Sequence, residues 1–316
     1  MSITKKENIS FAKGLCVKAG PGEDGMTARG VLRRMSGVSQ RLVRKIAHGE
    51  GEASGALYIN GKEALFRDRV KAGDEIRVIF PDETSWIEPQ DIPLEVIYED
   101  GDILVIDKQP GIVVHPTKGH RDGTIANAIV CHTQKRGENY RPRFISRLDM
   151  YTSGVLLIGK NSHAQDSLAK QNALDGVEKI YIAALEGRLE DDLPPAGVID
   201  LPIGRPAQNG PSRAVLPEEE GGYPSQTAYE ILRHNDGGAA GLTVVRVRLI
   251  TGRTHQIRVH FAHYGHPVLG DELYGSPSPL IARQALHAAE IAFSHPVTGK
   301  PLRFEAPLPP DIAACI

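Results

Sequence analysis

Cysteine is scarce in this chain. Cys16, Cys131 and Cys315 are odd in number, far apart and never arranged as C-x-x-C. That excludes a disulfide framework and a cysteine zinc site, and it fits a reducing, cytoplasmic setting. No apolar run approaches the roughly 20 residues that cross a bilayer, so a soluble protein without a membrane partner is expected. The start, MSITKKENIS, holds basic residues but no apolar segment, and does not read as a secretory signal. Nucleotide-cofactor motifs are missing too: there is no G-x-x-x-x-G-K-[ST] and no G-x-G-x-x-G after a strand. A G-x-S-x-G nucleophile turn is likewise absent.

An excess of one charge is also lacking, since the formal net charge is −2. The distribution is less even. Between Met26 and Gly49 stand six cations (Arg29, Arg33, Arg34, Arg41, Arg44 and Lys45) and no acid. Lys135, Arg136, Arg141, Arg143 and Arg147 form a second basic stretch, against Glu138 alone. Acids gather elsewhere, at 190–192 and in the PEEE stretch at 217–220. Such separation creates a local positive surface on a nearly neutral protein and points to a polyanion partner.

With 316 residues the chain can hold one sizeable core and a small accessory unit. Residues 26–80 read as two short helices, each ending at glycine, followed by paired strands around the YINGK turn. Residues 81–93 hold three prolines and four acids, a linker composition. The expected division is a small α+β RNA-binding domain over 1–82, a linker over 83–93 and a catalytic domain over 94–316. In the last of these, strands outnumber helices and follow one another directly, which predicts α+β with a mixed or antiparallel sheet. Helices are expected at TIANAIVCHTQ, HAQDSLAKQNAL and THQIRVHFAHYG, the last with Thr254 as its N-cap.

Three constellations carry chemistry. RLDMYTSG places Asp149 alone, with no second acid within ten residues on either side. A glycosidase needs two carboxylates flanking its bond. A lone carboxylate beside arginines suits a nucleophile or base kept ionised by a cation; the bland alternative is a cap on the Thr-Ser-Gly turn. TGRTHQIR puts Arg253 just before a helix and Arg258 one turn inside it, away from the apolar face of Ile257, Phe261 and Tyr264. An arginine there suits a phosphate or a carboxylate, or is simply a surface residue. Tyr181 alternates with Ile180 and Ile182 on a strand, and could pack in the core or stack on a base. His255, His260, His263 and His266 spread around their helix and lack the H-E-x-x-H acid, so no metal site is expected.

From about 94 to 310 the chain resembles the RluA-type family of RNA pseudouridine synthases. The resemblance is carried by DKQPGIVVHP (107–116), DGTIANAI (122–129), RLDMYTSGVLLIGK (147–160), EKIYIAALEG (178–187), TGRTHQIRVHFAHYGHPVLGDELYG (251–275) and RQALHAAEIAFSHPVTGKPLRFEAP (283–307). The basic front unit resembles the alpha-L RNA-binding domain of the ribosomal-protein-S-four type. The resemblance implies an isomerase that needs no cofactor or metal. Asp149 would be its catalytic aspartate, Arg258 the partner of that aspartate, Tyr181 the tyrosine packed on the target base, and Arg147 the arginine flanking it in the RNA groove. One departure is Ser146, where the family commonly has histidine. Arg253 and, in the front unit, Arg33, Arg34, Arg41, Arg44 and Lys45 are the expected phosphate contacts. The expected substrate is a uridine in structured RNA, most simply large-subunit ribosomal RNA, acted on by a monomer. The competing readings are a transfer-RNA pseudouridine synthase and a non-catalytic RNA-binding or ribosome-assembly protein.

Overall fold

A computed structural model describes residues 14–48, 55–81, 83, 85–117, 119–189, 192–207, 210–235 and 241–316. The chain start and the acids at 190 and 191 therefore lie outside the described residues.

The front unit begins with a strand the sequence pattern did not mark, β1 (Gly14–Lys18). Then come α1 (Ala28–Ser36), α2 (Gln40–Ala47), β2 (Ala56–Ile59), β3 (Lys62–Glu63) and β4 (Glu75–Ile79). The strands form an antiparallel sheet in the order β1-β4-β2-β3. Both helices are capped by side chains: Thr27 accepts from the Gly30 amide at 3.2 Å and Ser39 from the Leu42 amide at 3.3 Å. Gly37 closes α1 in the left-handed region at φ 65°. Each helix turns its apolar stripe (Val31, Leu32, Leu42, Val43, Ile46) onto the sheet, which leaves Arg33, Arg34, Arg41, Arg44 and Lys45 exposed.

The rest of the chain folds around a large sheet. Its elements are β5 (Glu95–Glu99), β6 (Ile103–Lys108), α3 (Ile125–Lys135), β7 (Arg143–Phe144), β8 (Ser153–Gly159), α4 (Ser162–Ala173), β9 (Glu178–Glu186), β10 (Ala196–Asp200), β11 (Ile203–Gly204), β12 (Ala214–Val215), β13 (Gln226–Asn235), β14 (Leu242–Leu249), α5 (Gln256–His263), β15 (Leu286–Ser294), β16 (Pro301–Glu305) and α6 (Pro310–Ala313). The order is β10-β13-β14-β9-β15-β8-β6-β5, with β16 beside β15 and β7 beside β8. Only β15 and β8 pair in parallel among these ladders, so the sheet is mixed and the class is α+β, as expected.

Both faces of this sheet are covered, which explains the unbroken apolar run in β8. Leu104, Ile106, Leu156 and Ile158 face one core with α3 and α5, while Ile103, Val105, Val155 and Leu157 face a second core with α4. This is the period-two alternation of a strand buried on both sides. Tyr181 belongs to the first face, with Ala183 and Leu185.

Within the expected linker, residues 85–93 are docked along α3. Ile87 is buried against Ala126 and Val130. Asn127 donates its side-chain amide to the Glu88 carbonyl at 2.8 Å, and the Gln90 amide donates to the Asn127 carbonyl at 3.2 Å. Contacts also cross it: Val297 packs on the front core, the Phe80 and His163 rings lie 5.7 Å apart, and Glu83 pairs with both Lys45 and Arg143. A proline-rich acidic composition predicts an extended segment but does not reveal that Ile87 has a socket waiting for it.

Candidate active site

Asp149 sits in the turn between β7 and β8, and the surrounding backbone is tied down. The Met150 and Thr152 carbonyls each accept from the Lys108 ammonium at 2.9 Å, and Gln109 supplies a third acceptor at 3.0 Å. The Tyr151 carbonyl accepts from Arg283 at 2.9 Å, and Arg283 is itself held by Asp311 at 2.7 and 2.9 Å. Three consecutive carbonyls behind Asp149 thus end on cations. Burial pushes the Lys108 ammonium down to about 7, against the pull of the Asp149 charge. The glycine of TSG has a steric reason. Gly154 has φ 111°, and a Cβ there would stand 2.2 Å from the Ala288 carbonyl oxygen of β15.

Arg258 reaches this turn from α5. It donates from Nη1 to Asp149 Oδ2 at 2.9 Å. Its other edge is gripped by Asp271, from Nε to Oδ2 at 2.6 Å and from Nη2 to Oδ1 at 2.7 Å. Arg258 is buried, and burial alone would lower its pKa; the two carboxylates outweigh that and raise it. The Tyr274 ring lies 5.1 Å from the guanidinium carbon.

The start of α5 differs from the expected pattern. Thr254 does not cap it. His255 occupies the N-cap position in the left-handed region (φ 59°, ψ 19°), without a side-chain cap. The Gln256 side chain does the tying instead, accepting from the Arg253 amide and the Thr251 hydroxyl, both at 2.9 Å. A non-glycine residue held at positive φ is a local cost that the surrounding contacts must impose. It aims His255 at the site: Nδ1 bonds the Tyr274 hydroxyl at 2.8 Å and Nε2 lies 3.9 Å from Asp149. Burial, aided by Arg258 and Arg213, pulls this ring below the usual histidine range and outweighs Asp149.

Tyr181 completes the pocket. Asp149, Arg258, His255, Arg147, Arg253 and Tyr181 line one small cavity of about 50 Å³, walled by Leu148, Leu249, Ile257 and Leu286. Burial and then the nearby Asp149 charge raise the Tyr181 hydroxyl pKa. The pocket pairs one partly open carboxylate, its side chain 25% exposed, with a guanidinium whose position is fixed. That arrangement keeps an anion at hand beside an apolar slot with a tyrosine in it, the surroundings in which a planar base can be held.

The other expected cations divide into two groups. Arg41 and Lys45 of α2 line a groove of about 760 Å³ together with Arg141, Arg143, His115 and Arg147. Arg147 is shared with the small cavity, so the groove leads to Asp149. Arg33, Arg34 and Arg44 lie outside that lining, and Arg34 pairs with Glu23 at 3.3 Å. Arg253 is exposed and lies over the Tyr223 ring at 5.6 Å. Of the four histidines, His260 bonds Thr227 and Leu201, and His266 bonds Glu186 and Asp192. Among the described residues, the group that could hold a metal is a different one: Asp100, Asp102 and His295, with ligand atoms within 4.8 Å of one another. It lies in a separate cleft beside the front sheet, where His295 already donates to Asp100 at 2.9 Å.

Asp271, Tyr274 and Lys108 were not singled out by sequence pattern. Asp271 is thirteen residues from Arg258, beyond the reach of helical spacing. The available signal was Gly270, which has φ 71° and whose Cβ would meet the Arg283 carbonyl at 2.5 Å. A glycine forced at that point marks a backbone shaped to present its neighbour.

The RNA pseudouridylate synthase family profile matches residues 102–263. A Bacillus subtilis protein called "Uncharacterized RNA pseudouridine synthase YjbO" is 39% identical over 286 residues, covering 89% of this chain and 95% of that one. "Ribosomal large subunit pseudouridine synthase D" of Nitrosomonas europaea is 37% identical over 269 residues, covering 82% and 75%. The solved structure of human RNA Pseudouridylate Synthase Domain Containing 1 superposes with a TM-score of 0.57 at 26% identity, covering 74% of this chain and 90% of that one. The chain belongs to the RNA pseudouridylate synthase family and is an RNA pseudouridine synthase, an isomerase acting on RNA.

Proposed function

We propose that Asp149 carries the isomerisation and that the target is a uridine in large-subunit ribosomal RNA. The observation that carries the first part is the 2.9 Å bond from Arg258 Nη1 to Asp149 Oδ2, made by an arginine already locked by Asp271. Pseudouridine formation detaches uracil from ribose, turns it over and rejoins it through carbon 5. Nothing is added or lost, so one carboxylate suffices. It either attacks the sugar or helps remove a ribose proton, and then acts as base when the new bond forms. Arg258 favours its charged form in a pocket where burial favours the acid. Tyr181 packs on the base, and Arg147 flanks the extruded nucleotide.

Extrusion from folded RNA costs a few kcal/mol, which phosphate contacts offset. Arg41, Arg141 and Arg147 along the groove are suited to this, and the front unit is an RNA-binding module of the alpha-L type. The name of the Nitrosomonas relative supports the ribosomal target. We place the enzyme in the cytoplasm, where three unpaired cysteines stay reduced, and take it to act as a monomer. The test is pseudouridine mapping of all RNA from cells with and without the gene. A large-subunit site lost on deletion and restored by purified enzyme supports the target; a lost transfer-RNA site reassigns it.

A further inference from the structure

Trp86 is the only tryptophan in the chain, and it is 66% exposed. It does not stand alone on the surface. Its ring lies 6.4 Å from that of His115, and the His115 ring lies 6.0 Å from that of Phe144. Phe144 is rooted in the core against Ile87, Ala126 and Val130. A row of three rings therefore runs from the catalytic domain's core out to solvent. His115 and Phe144 line the same groove as Arg41, Arg141 and Arg147. Glu83 in that groove is already engaged by Lys45 and Arg143, and among the described residues no ion pair engages those three arginines.

Trp86 is also held in place. The next residue, Ile87, is buried, and its amide donates to the Ser85 hydroxyl at 3.2 Å. The ring is thus presented from an anchored backbone, so little ordering is required when a partner arrives. Scattered exposed apolar residues need no explanation. An indole at the open end of an aromatic row, beside arginines that no described ion pair engages, has the two parts of a single-strand nucleic-acid site. Flat faces receive bases, and charges track the backbone.

We infer that Trp86, backed by His115, is a stacking platform for an unpaired RNA base flanking the target uridine, on the strand that runs along the groove from α2 to Arg147. The inference rests on the RNA-modifying reading of the same site and adds where the flanking strand goes. Stacking on an indole is tolerant of base identity, so the platform recognises unpaired structure beside the target and not a sequence.

The single tryptophan makes the test direct. The full-length protein is titrated with single-stranded RNA of about ten nucleotides, within the usual span of such sites. Tryptophan emission and the anisotropy of a label on the RNA are followed together. Emission should be quenched in step with binding. Trp86→Ala should weaken binding by about 5- to 150-fold, the range expected for one stacked base, and Trp86→Phe by much less. When one abasic residue is walked through the RNA, one position should abolish the quench, and there the wild type and Trp86→Ala should bind equally. Binding with no change in emission, or a Trp86→Ala protein that binds as tightly as the wild type, overturns the platform. Failure of the wider functional reading would look different: no pseudouridine in any RNA, whether or not emission is quenched.

Discussion

Asp271 holds Arg258 by two hydrogen bonds, at 2.6 and 2.7 Å, and leaves one guanidinium nitrogen to meet Asp149 at 2.9 Å. Asp271 is fully buried, so the clamp does not exchange with water. The arginine is therefore a fixed donor and not a mobile counter-ion, and preorganised donors of this kind account for large parts of enzymatic rate. The planar fork is essential, because one side chain must satisfy two carboxylates in different directions.

Arg258→Lys tests that geometry. An ammonium keeps the charge but cannot span both acids, so turnover on saturating RNA should fall by roughly 100-fold or more, the scale of one lost preorganised donor. RNA affinity should change much less. Single-turnover kinetics separate the two. An unchanged turnover with collapsed affinity would make Arg258 a phosphate contact.

Lys108 is a second support. It is fully buried and donates to three carbonyls, two of them in the Asp149 turn. Lys108→Met leaves the Met150 carbonyl its bond from the Gly111 amide but should strand the Gln109 and Thr152 carbonyls, at about 1–3 kcal/mol for each buried group left unpaired. Urea unfolding at pH 7 reads the loss, and turnover should fall with it as the Asp149 turn loosens. A variant as stable as the wild type would show that water replaces the ammonium.

Acid sensitivity should come from a site far from the chemistry. Burial alone would raise the Glu99 pKa, but bonds to His132 and Lys160 bring it down to about 2. A carboxyl depressed in the folded state stabilises the fold above its unfolded pKa of about 4.3. That contribution is lost as pH falls toward the folded value. Glu99→Gln should therefore cost stability at pH 7 and little near pH 2. Denaturation midpoints at both pH values check the sign, and an equal cost at both would remove Glu99 from the acid limb.

The groove should be readable in salt. Among the described residues Arg41 lines it without an ion pair, whereas Arg34 lies outside it and is paired with Glu23. Arg41→Ala should reduce the log–log salt slope of RNA binding by about 0.7–0.9, one phosphate contact. Arg34→Ala should leave the slope nearly unchanged. Equal effects of the two substitutions would mean that the groove does not carry the backbone.

Much of this was legible in one dimension. Alternating and continuous apolar runs mark β6, β8 and β14, because strand periodicity is local. RLDMYTSG, GRTHQIR and Tyr181 were recognisable separately, and the structure brings Asp149 and Arg258 together across 109 residues of sequence. The supports were less visible. Asp271 and Lys108 act through side-chain contacts fixed only when α5, β6 and the Asp149 turn pack together. Thr254 looks like an N-cap, yet the Gln256 side chain takes over the turn and leaves His255 in the left-handed region. The socket for Ile87 on α3 exists only after folding, so a proline-rich acidic segment could not announce that it is docked.

The central claim is that Asp149 performs the isomerisation, and Asp149→Asn tests it most directly. The full-length variant is incubated with large-subunit ribosomal RNA, and pseudouridine is counted at the target site while RNA affinity is measured on the same sample. The account predicts binding near the wild-type level with no pseudouridine, since an amide cannot serve as nucleophile or base. Residual turnover within about tenfold of the wild type would contradict it, because removing an essential nucleophile or base costs far more than that.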